Sequence, residues 1–114
     1  MTIIKVIMTG GPPYTLLYDP EVKQHLRVID AKHYSLIRRA IEEQLTVEPD
    51  NATRNREPLQ RQADTGAVWE LRFGPNNRFR VFHDVDHVIR LVRVRALGVK
   101  DRNRLLIGGE EVEI

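Results

Sequence analysis

An alternation of apolar and charged residues with a period of two most constrains the fold of this chain. It runs from Val68 to Phe73 and returns from Arg78 to His83. A longer, β-branched stretch follows from Val88 to Ala96. Gly74-Pro75-Asn76-Asn77 and Asp84-Val85-Asp86-His87 separate the three stretches. Short polar turns between stretches of period two predict three antiparallel strands joined as a meander.

Two helices are predicted before this meander. Asp19-Pro20-Glu21 favours a helix start, with an N-cap carboxylate and a proline at the first helical position. Val22, Leu26 and Ile29 follow at helical spacing. Asp30 can cap a second helix, and the two would form a helical hairpin. The apolar positions of the second helix repeat at spacings of three and four: Tyr34, Ile37, Ile41 and Leu45.

The remaining segments complete an α+β prediction. Tyr14 to Tyr18 is expected to be a short strand, and Ile3 to Met8 an extra N-terminal strand. Residues 47–65 are polar and predict a surface loop with at most one short helical turn. We therefore expect one domain over residues 1–114. Residues 1–13 would be its extra strand and turn, and residues 108–114 an acidic tail that is disordered rather than folded back.

The 114 residues include no cysteine, which excludes thiolate metal sites, iron–sulfur clusters and cysteine nucleophiles. No apolar stretch approaches the length of about 20 residues that a membrane span needs. We expect a soluble cytoplasmic protein without a cofactor. The run from His83 to His87 resembles a ligand cluster, but neighbouring strand residues point to opposite faces, so no metal is expected. His83 should be packed, whereas His25 and His33 should face solvent.

Basic side chains are concentrated in one segment, although the whole chain has a net charge of only +2. Residues 72–104 hold nine basic and three acidic side chains, and arginine outnumbers lysine 14 to 4. Guanidinium groups suit bidentate contact with phosphate. An ordinary solvated face of the sheet is the alternative. The face predicted to point away from the helices carries Glu70, Arg72, Arg78 and Arg80, and the third strand adds Arg93 and Arg95.

Three motifs of the chain resemble the RelE/ParE toxins of bacterial toxin–antitoxin systems. They are Trp69-Glu70-Leu71-Arg72-Phe73, Arg78-Phe79-Arg80-Val81-Phe82 and Leu97-Gly98-Val99-Lys100-Asp101-Arg102-Asn103-Arg104. Together with the order of the predicted elements, the resemblance covers roughly Tyr14 to Leu106. It implies a RelE-like fold. Many members of this family cut messenger RNA on the ribosome without a metal, and others inhibit DNA gyrase.

The resemblance implies candidate catalytic residues for RNA cleavage. Arg80 matches the arginine that contacts the phosphate, and Arg72 matches a basic position on the preceding strand. Glu70 stands where some members have lysine and is the candidate general base. Lys100 and Arg102 match basic residues that follow the last strand. The remaining arginines of the segment are candidates for RNA binding: Arg78, Arg93, Arg95 and Arg104.

One position departs from the family. Leu106, or else Leu105, stands where potent ribosome-dependent members have a catalytic tyrosine, and a basic side chain would have to supply the acid. Three interpretations follow: a metal-independent mRNA endonuclease on translating ribosomes, a ParE-like gyrase inhibitor, and a non-catalytic toxin-like module. The expected partners are a cognate antitoxin laid across the basic face and helical hairpin, then mRNA and the ribosome (or gyrase). The extra N-terminal strand is a candidate for pairing in a homodimer.

Overall fold

The computed structural model describes residues 12–59 and 69–113, so the strand predicted from Ile3 to Met8 lies outside the described residues. The two helices are α1 (Glu21–Arg27) and α2 (Tyr34–Leu45), and a short 3-10 helix, Ala31–His33, leads into α2. The strands are β1 (Thr15–Tyr18), β2 (Arg56–Pro58), β3 (Trp69–Phe73), β4 (Phe79–Asp86), β5 (Leu91–Asp101), β6 (Arg104–Ile107) and β7 (Glu110–Val112).

These strands form one sheet in the order β2-β3-β4-β5-β6-β7, with antiparallel neighbours. β1 also pairs with β5, and this pairing is parallel. Because β4 occupies one edge of β5 along its length, β1 and β6 share the other edge. β1 pairs with residues 91–94 of β5, and β6 pairs with residues 98–101. The predicted α+β architecture with a helical hairpin and an antiparallel meander is confirmed.

The helices cover one face of the sheet and bury the apolar positions that the spacing predicted. Ile37, Ile41 and Leu45 of α2 are buried in a core with Val22 and Ile29. From the sheet, the buried core includes Leu71, Phe73, Phe79, Val81, Val92, Val94 and Leu97. Helical periodicity therefore identified the side of each helix that faces the strands.

Only one of the two predicted caps is made. The Asp30 carboxylate accepts a hydrogen bond from the Lys32 amide at 3.0 Å and caps the 3-10 helix. Asp19 does not cap α1, which has Pro20 at its N-cap position. The Asp19 carboxylate instead accepts a hydrogen bond from Arg95 Nε at 2.8 Å. The bond to Arg95 joins two opposite charges, whereas a cap would pair the carboxylate with a neutral amide, so the arginine is the better partner.

The predicted 47–65 loop contains β2, which the sequence pattern missed. The guanidinium of Arg56 donates to the carbonyl oxygens of Gln44 at 2.6 Å and Glu48 at 2.7 Å. These carbonyls lie at the C-terminal end of α2, where helical carbonyls need outside partners. Arg56 thereby ties β2 to the helix and holds it at the edge of β3.

β4 and β5 are longer than predicted, and the turn between them lies later in the chain. The expected turn at residues 84–87 is mostly strand, because β4 continues to Asp86. The Asp86 carboxylate accepts hydrogen bonds from the amides of Val88 and Ile89, which are 91% and 64% exposed. The pairing also shifts by one residue, since Phe82 pairs with Ala96 and His83 with Val94. Arg95 is the extra residue of this β-bulge.

The acidic tail is folded, and the expectation of disorder is wrong. β6 and β7 form a hairpin in which Ile107 pairs with Glu110. The two loop residues, Gly108 and Gly109, have positive φ angles of 63° and 85°. Such a glycine pair suits the two-residue turns that join antiparallel strands. In the described part of the chain, no helix is long and apolar enough to cross a membrane.

Candidate functional site

Three of the predicted site residues line one depression on the sheet face that points away from the helices. Glu70 comes from β3, Arg80 from β4 and Lys100 from β5. The depression has a volume of about 530 Å³. Its other lining residues are Asn103, Leu105, Glu111, Val112 and Glu113. Neighbouring strands thus bring a carboxylate, a guanidinium and an ammonium to one place.

Gly98 helps to shape this depression because it pairs with Arg80 across β4 and β5. A Cβ atom at position 98 would lie 3.0 Å from Leu105 Cδ1 and 3.1 Å from the Leu106 carbonyl oxygen. Both distances are tighter than ordinary van der Waals contact. The missing side chain therefore lets β6 and its Leu105 lie close to β5 beside the cationic residues.

Arg80 is held in a fixed orientation. Its Nη1 donates to Glu70 Oε2 at 2.9 Å, and its Nε donates to the Asn77 carbonyl oxygen at 2.9 Å. The two paired side chains are only 14% and 9% exposed, respectively. Limited exposure reduces solvent screening, so this ion pair is stronger than an ordinary surface pair. The pair presents a preoriented guanidinium and a restrained carboxylate to the depression.

Arg72 lies opposite Arg80 in the register of β3 and β4. It forms its own ion pair, with 3.4 Å between Arg72 Nη2 and Glu57 Oε2 of β2. The Asn55 side-chain amide donates to the Arg72 carbonyl oxygen at 2.9 Å, which adds a backbone anchor. Arg72 is consequently beside the depression, with its charge already partnered.

Lys100 differs from both arginines. Its backbone amide donates to the Arg78 carbonyl oxygen at 2.7 Å, which fixes the backbone at the end of β5. Among residues 12–59 and 69–113, no carboxylate oxygen lies within ion-pair distance of its ammonium group. Lys100 is therefore a cation whose charge remains available to a ligand.

Three predicted basic residues lie away from the depression. Arg102 is exposed in the turn between β5 and β6 and has a positive φ of 58°. Arg104 pairs with Asp101 at 3.4 Å. Arg78 lines a different cavity, on the helix side, with its guanidinium carbon 5.8 Å from the centre of the Phe79 ring. The expectation that Arg78 shares a face with Arg80 is wrong.

Arg93 and Arg95 belong to a separate charged cluster farther along β5. Arg95 donates to Asp84 from Nη1 and to Asp19 from Nε, both at 2.8 Å. These aspartates raise the pKa of Arg95, chiefly through the hydrogen bond to Asp84. Arg93 Nε lies 3.7 Å from the other Asp19 oxygen. The cluster links the end of β1 to β4 and β5, so its guanidinium groups are occupied within the fold.

Leu105, rather than Leu106, lies on the face of the cationic residues. Leu105 pairs with Lys100 and packs into a small buried cluster with Phe82 and Ala96. Leu106 lines the helix-side cavity instead. Leu105 is therefore the residue beside the depression, and its hydrocarbon side chain can neither donate nor accept a proton.

Three histidines make contacts within the fold: His83, His25 and His33. His83 is fully buried, as expected for a packed histidine, and burial lowers its pKa to about 4. Its Nε2 lies 3.3 Å from the Pro49 carbonyl oxygen. His25 is partly buried rather than solvent-facing, and its Nδ1 accepts a hydrogen bond from the Leu97 amide at 3.2 Å. His33 packs its ring against Phe79 at 5.1 Å.

The His83 to His87 run is divided among different partners. Asp84 binds Arg95, while His87 Nε2 lies 2.5 Å from Asp50 Oδ2 and its Nδ1 lies 3.1 Å from the Tyr14 hydroxyl. Within the ranges that the structure describes, no group of three histidine or carboxylate side chains could hold a metal ion. The contacts of His87 join the β4–β5 turn to Tyr14, just before β1, and to the loop after α2.

Comparison of the whole fold with solved structures finds a similar chain in the RelBE2 toxin–antitoxin complex from Mycobacterium tuberculosis. The TM-score is 0.63 at 18% sequence identity, over 82% of this chain and 94% of that chain. This protein has a RelE-like toxin fold. No protein-family model matches its sequence, and no curated protein matches it either. The likeness covers the fold as a whole, with its helical hairpin packed on an antiparallel meander.

Sequence analysis missed several residues that contact the arginines or line the depression. The Asn77 carbonyl oxygen accepts a hydrogen bond from Arg80 Nε, and the Asn55 side chain donates one to the Arg72 carbonyl oxygen; no pattern in the sequence indicates either contact. Glu111 and Glu113 line the depression because the tail folds as β7. Gly108-Gly109 was the available signal, since a glycine pair after an apolar stretch is typical of a hairpin.

Proposed function

We propose that this RelE-like chain is the toxin of a type II toxin–antitoxin system and cleaves mRNA on translating ribosomes without a metal ion. The observation that carries this proposal is the meeting of Glu70, Arg80 and Lys100 in one depression. RNA cleavage needs a base, stabilisation of charge at phosphorus and an acid. The three side chains supply one group for each requirement.

In the proposed reaction, the ribose 2′-oxygen attacks the adjacent phosphorus as its proton passes to the Glu70 carboxylate. Arg80, fixed by Glu70 and Asn77, stabilises the negative charge on the phosphoryl oxygens. The bond from phosphorus to the 5′-oxygen breaks, and Lys100 gives a proton to that oxygen. The products are a 2′,3′-cyclic phosphate and a 5′-hydroxyl. Lys100 thus acts as the general acid, a role that the hydrocarbon side chain of Leu105 cannot perform.

A translating bacterial extract with a reporter mRNA tests this proposal, with mapping of new 5′ ends. We expect cuts from the wild type and a loss of about 100-fold or more in cleavage rate for Arg80→Ala and Lys100→Ala. Arg39→Ala removes the same charge from the exposed side of α2 and should cut normally. Circular dichroism must show that each variant is folded. Intact mRNA and normal translation with folded wild type would contradict the nuclease proposal.

The second candidate is a gyrase inhibitor, and Leu105 favours it because this side chain contributes no proton transfer beside the depression. A supercoiling assay with purified gyrase separates the two functions. Inhibited supercoiling together with intact mRNA would support the gyrase inhibitor. Unaffected supercoiling and intact mRNA would leave a non-catalytic toxin-like module.

We also propose that a cognate antitoxin docks in the groove between α1 and α2. The groove has a volume of about 750 Å³, with Leu26, Ile37 and Ile41 among its apolar lining residues and Lys23 and Arg38 among its charged ones. An amphipathic helix could place apolar side chains in the groove and acidic ones near the two cations. Co-expression with a candidate antitoxin tests this. Arg38→Glu should weaken the complex while leaving mRNA cleavage unchanged.

A further inference from the structure

The turn between β3 and β4, residues 74–78, contacts both cations of the depression through its backbone. The Asn77 carbonyl oxygen accepts a hydrogen bond from Arg80 Nε at 2.9 Å. The next carbonyl oxygen, that of Arg78, accepts one from the Lys100 amide at 2.7 Å. Two successive carbonyl groups of one turn are therefore linked to the side chain of one cation and to the backbone of the other.

The backbone of this turn has the features of a type I′ turn centred on Asn76 and Asn77. Their φ angles are 56° and 52°, and the Arg78 amide donates to the Pro75 carbonyl oxygen at 3.0 Å. Left-handed backbone is unfavourable for residues other than glycine, although asparagine adopts it more readily than most. The φ and ψ angles of Asn77 fix the direction of its carbonyl group. A residue that cannot adopt a positive φ at this position would therefore redirect that group.

The turn is also held against the core. Gly74 has a φ of 82°, and a Cβ atom there would lie 2.6 Å from Phe79 Cδ2. The Phe79 side chain is fully buried, so the turn rests on a ring that is fixed by its surroundings. The Gly74 carbonyl oxygen also accepts a hydrogen bond from the Asn77 amide at 3.0 Å. The buried ring and this hydrogen bond together keep the Asn77 carbonyl group in one place.

The contact with Asn77 determines which part of the Arg80 guanidinium can meet a phosphate. A guanidinium group donates from Nε, Nη1 and Nη2. Nε donates to Asn77, and Nη1 donates to Glu70 Oε2 at 2.9 Å. Within residues 12–59 and 69–113, Arg80 has no other hydrogen-bond partner. The second hydrogen of Nη1 and both hydrogens of Nη2 therefore remain for a ligand, at the end of the side chain.

We propose that the β3–β4 turn positions Arg80 for the phosphodiester of RNA, with Asn77 acting as a positioning residue through its backbone carbonyl group. The inference rests on the proposed RNA-cleaving function and concerns the same site. The turn holds the Nε side of the guanidinium, so that Nη1 and Nη2 meet two phosphoryl oxygens side by side. Because the Lys100 amide is tied to the same turn, a displaced turn would also alter the spacing of the two cations. Donors fixed in advance stabilise developing charge without rearrangement.

Hydrogen exchange of the Arg80 Nε–H group tests the contact without any assay of function. NMR measures the exchange, and Arg80→Lys assigns the signal by removing it. In the wild type, we expect this group to exchange at least about tenfold more slowly than the Nε–H of Arg39, which lies exposed on α2. Equal exchange at the two arginines would overturn the inference without the need for a variant of the turn.

Two substitutions of Asn77 test whether its backbone conformation makes the contact. Glycine adopts a positive φ readily, whereas a β-branched residue is an outlier there. We expect exchange at Arg80 Nε–H to be at least about tenfold faster in Asn77→Val than in the wild type. In Asn77→Gly it should stay within about twofold of the wild type. Circular dichroism must show that both variants are folded.

Cleavage rates at several concentrations of translating ribosomes test the role in the reaction. A misplaced guanidinium should weaken transition-state stabilisation more than substrate binding. We therefore expect Asn77→Val to lower kcat by about tenfold or more and to change KM by less than about twofold. Asn77→Gly should keep the wild-type kcat, because the contact uses the backbone. Leu45→Ala opens a cavity in the core at the end of α2, so it controls for lost stability and should cut normally while folded.

The outcomes separate this inference from the proposed function. Equal exchange at Arg80 Nε–H in Asn77→Val and the wild type, or equal kcat, would overturn the positioning role alone. A loss of cleavage shared by Asn77→Gly would also overturn it, since the side chain rather than the turn would then be responsible. Absence of cleavage by folded wild type would overturn both proposals. Faster exchange and a lower kcat confined to Asn77→Val support the inference.

Discussion

Arg72 and Arg80 lie directly opposite each other on β3 and β4. Like charges at paired positions of an antiparallel sheet are destabilising. Each arginine has its own carboxylate, since Glu57 lies 3.4 Å from Arg72 Nη2 and Glu70 lies 2.9 Å from Arg80 Nη1. The two glutamates therefore make it possible for neighbouring strands to present two guanidinium groups on one face. Glu70 has a structural role as well as the proposed catalytic one.

Glu70→Gln should lower the free energy of unfolding by roughly 2 kcal/mol, because Arg80 loses a largely buried charged partner. Urea denaturation followed by circular dichroism measures this. Glu57→Gln is the matched control, and its more exposed ion pair should cost less than about 1 kcal/mol. Equal losses for the two variants would show that burial of the Glu70–Arg80 pair does not strengthen it.

Gly74→Ala should destabilise the protein by about 3 kcal/mol or more. Gly74 has φ 82° and ψ −179°, a conformation that is essentially confined to glycine. A Cβ atom there would also lie 2.6 Å from Phe79 Cδ2, inside the core. Thermal unfolding measures the loss. Gly109→Ala is a useful comparison because its positive φ of 85° is strained while its Cβ meets nothing closer than 3.7 Å. The Gly74 variant should be the less stable of the two.

Burial of His83 predicts a loss of stability in mild acid. Its pKa falls from 6.5 in the unfolded chain to about 4 in the folded protein. The unfolded state therefore binds the extra proton between these values, and stability decreases as the pH falls from 6.5 towards 4. Over this pH range, the effect of His83 should lower the free energy of unfolding by roughly 3 kcal/mol. Urea denaturation at several pH values measures it, and His83→Gln should flatten the profile. An unchanged profile in that variant would contradict the prediction.

His25 should protect the Leu97 amide from hydrogen exchange. That amide points into the gap between β1 and β6 on the edge of β5, and His25 Nδ1 accepts its hydrogen bond. His25→Ala should leave the buried amide unsatisfied and cost about 1–3 kcal/mol. NMR exchange rates should rise at Leu97 more than in the β3–β4 pairing. Burial also lowers the pKa of His25, so this contact adds to the loss of stability below pH 6.5.

The helices and central strands could be predicted because each carries its period within its own residues. Ile37, Ile41 and Leu45 show the buried side of α2 without reference to any other segment. β2 could not be predicted, since it depends on Arg56 reaching carbonyl oxygens at the end of α2. The bulge at Arg95 was also hidden, because the alternation continues through it unchanged while the pairing partners shift.

Part of the candidate site could be predicted on the same grounds. Alternation correctly placed Glu70 and Arg80 on the face away from the helices. It failed for Arg78, which precedes β4 and has helical backbone angles of φ −67° and ψ −36°, so strand alternation does not apply to it. The position of Glu111 beside the depression could not be predicted from its sequence neighbours either, since it requires the tail to return beside β6.

The shared edge of β5 also has a consequence for biosynthesis. β1 pairs through Thr15 with Leu91, a separation of 76 residues along the chain. At translation rates of roughly 5–20 residues per second, β1 waits about 4–15 s for its partner strand, and the helical hairpin waits for the strands that cover its apolar side. The strands from β3 to β7, by contrast, pair with partners that are synthesised next to them. The nascent chain therefore exposes its hairpin first and completes its sheet last, which makes the newly made hairpin the earliest surface open to a chaperone or a partner.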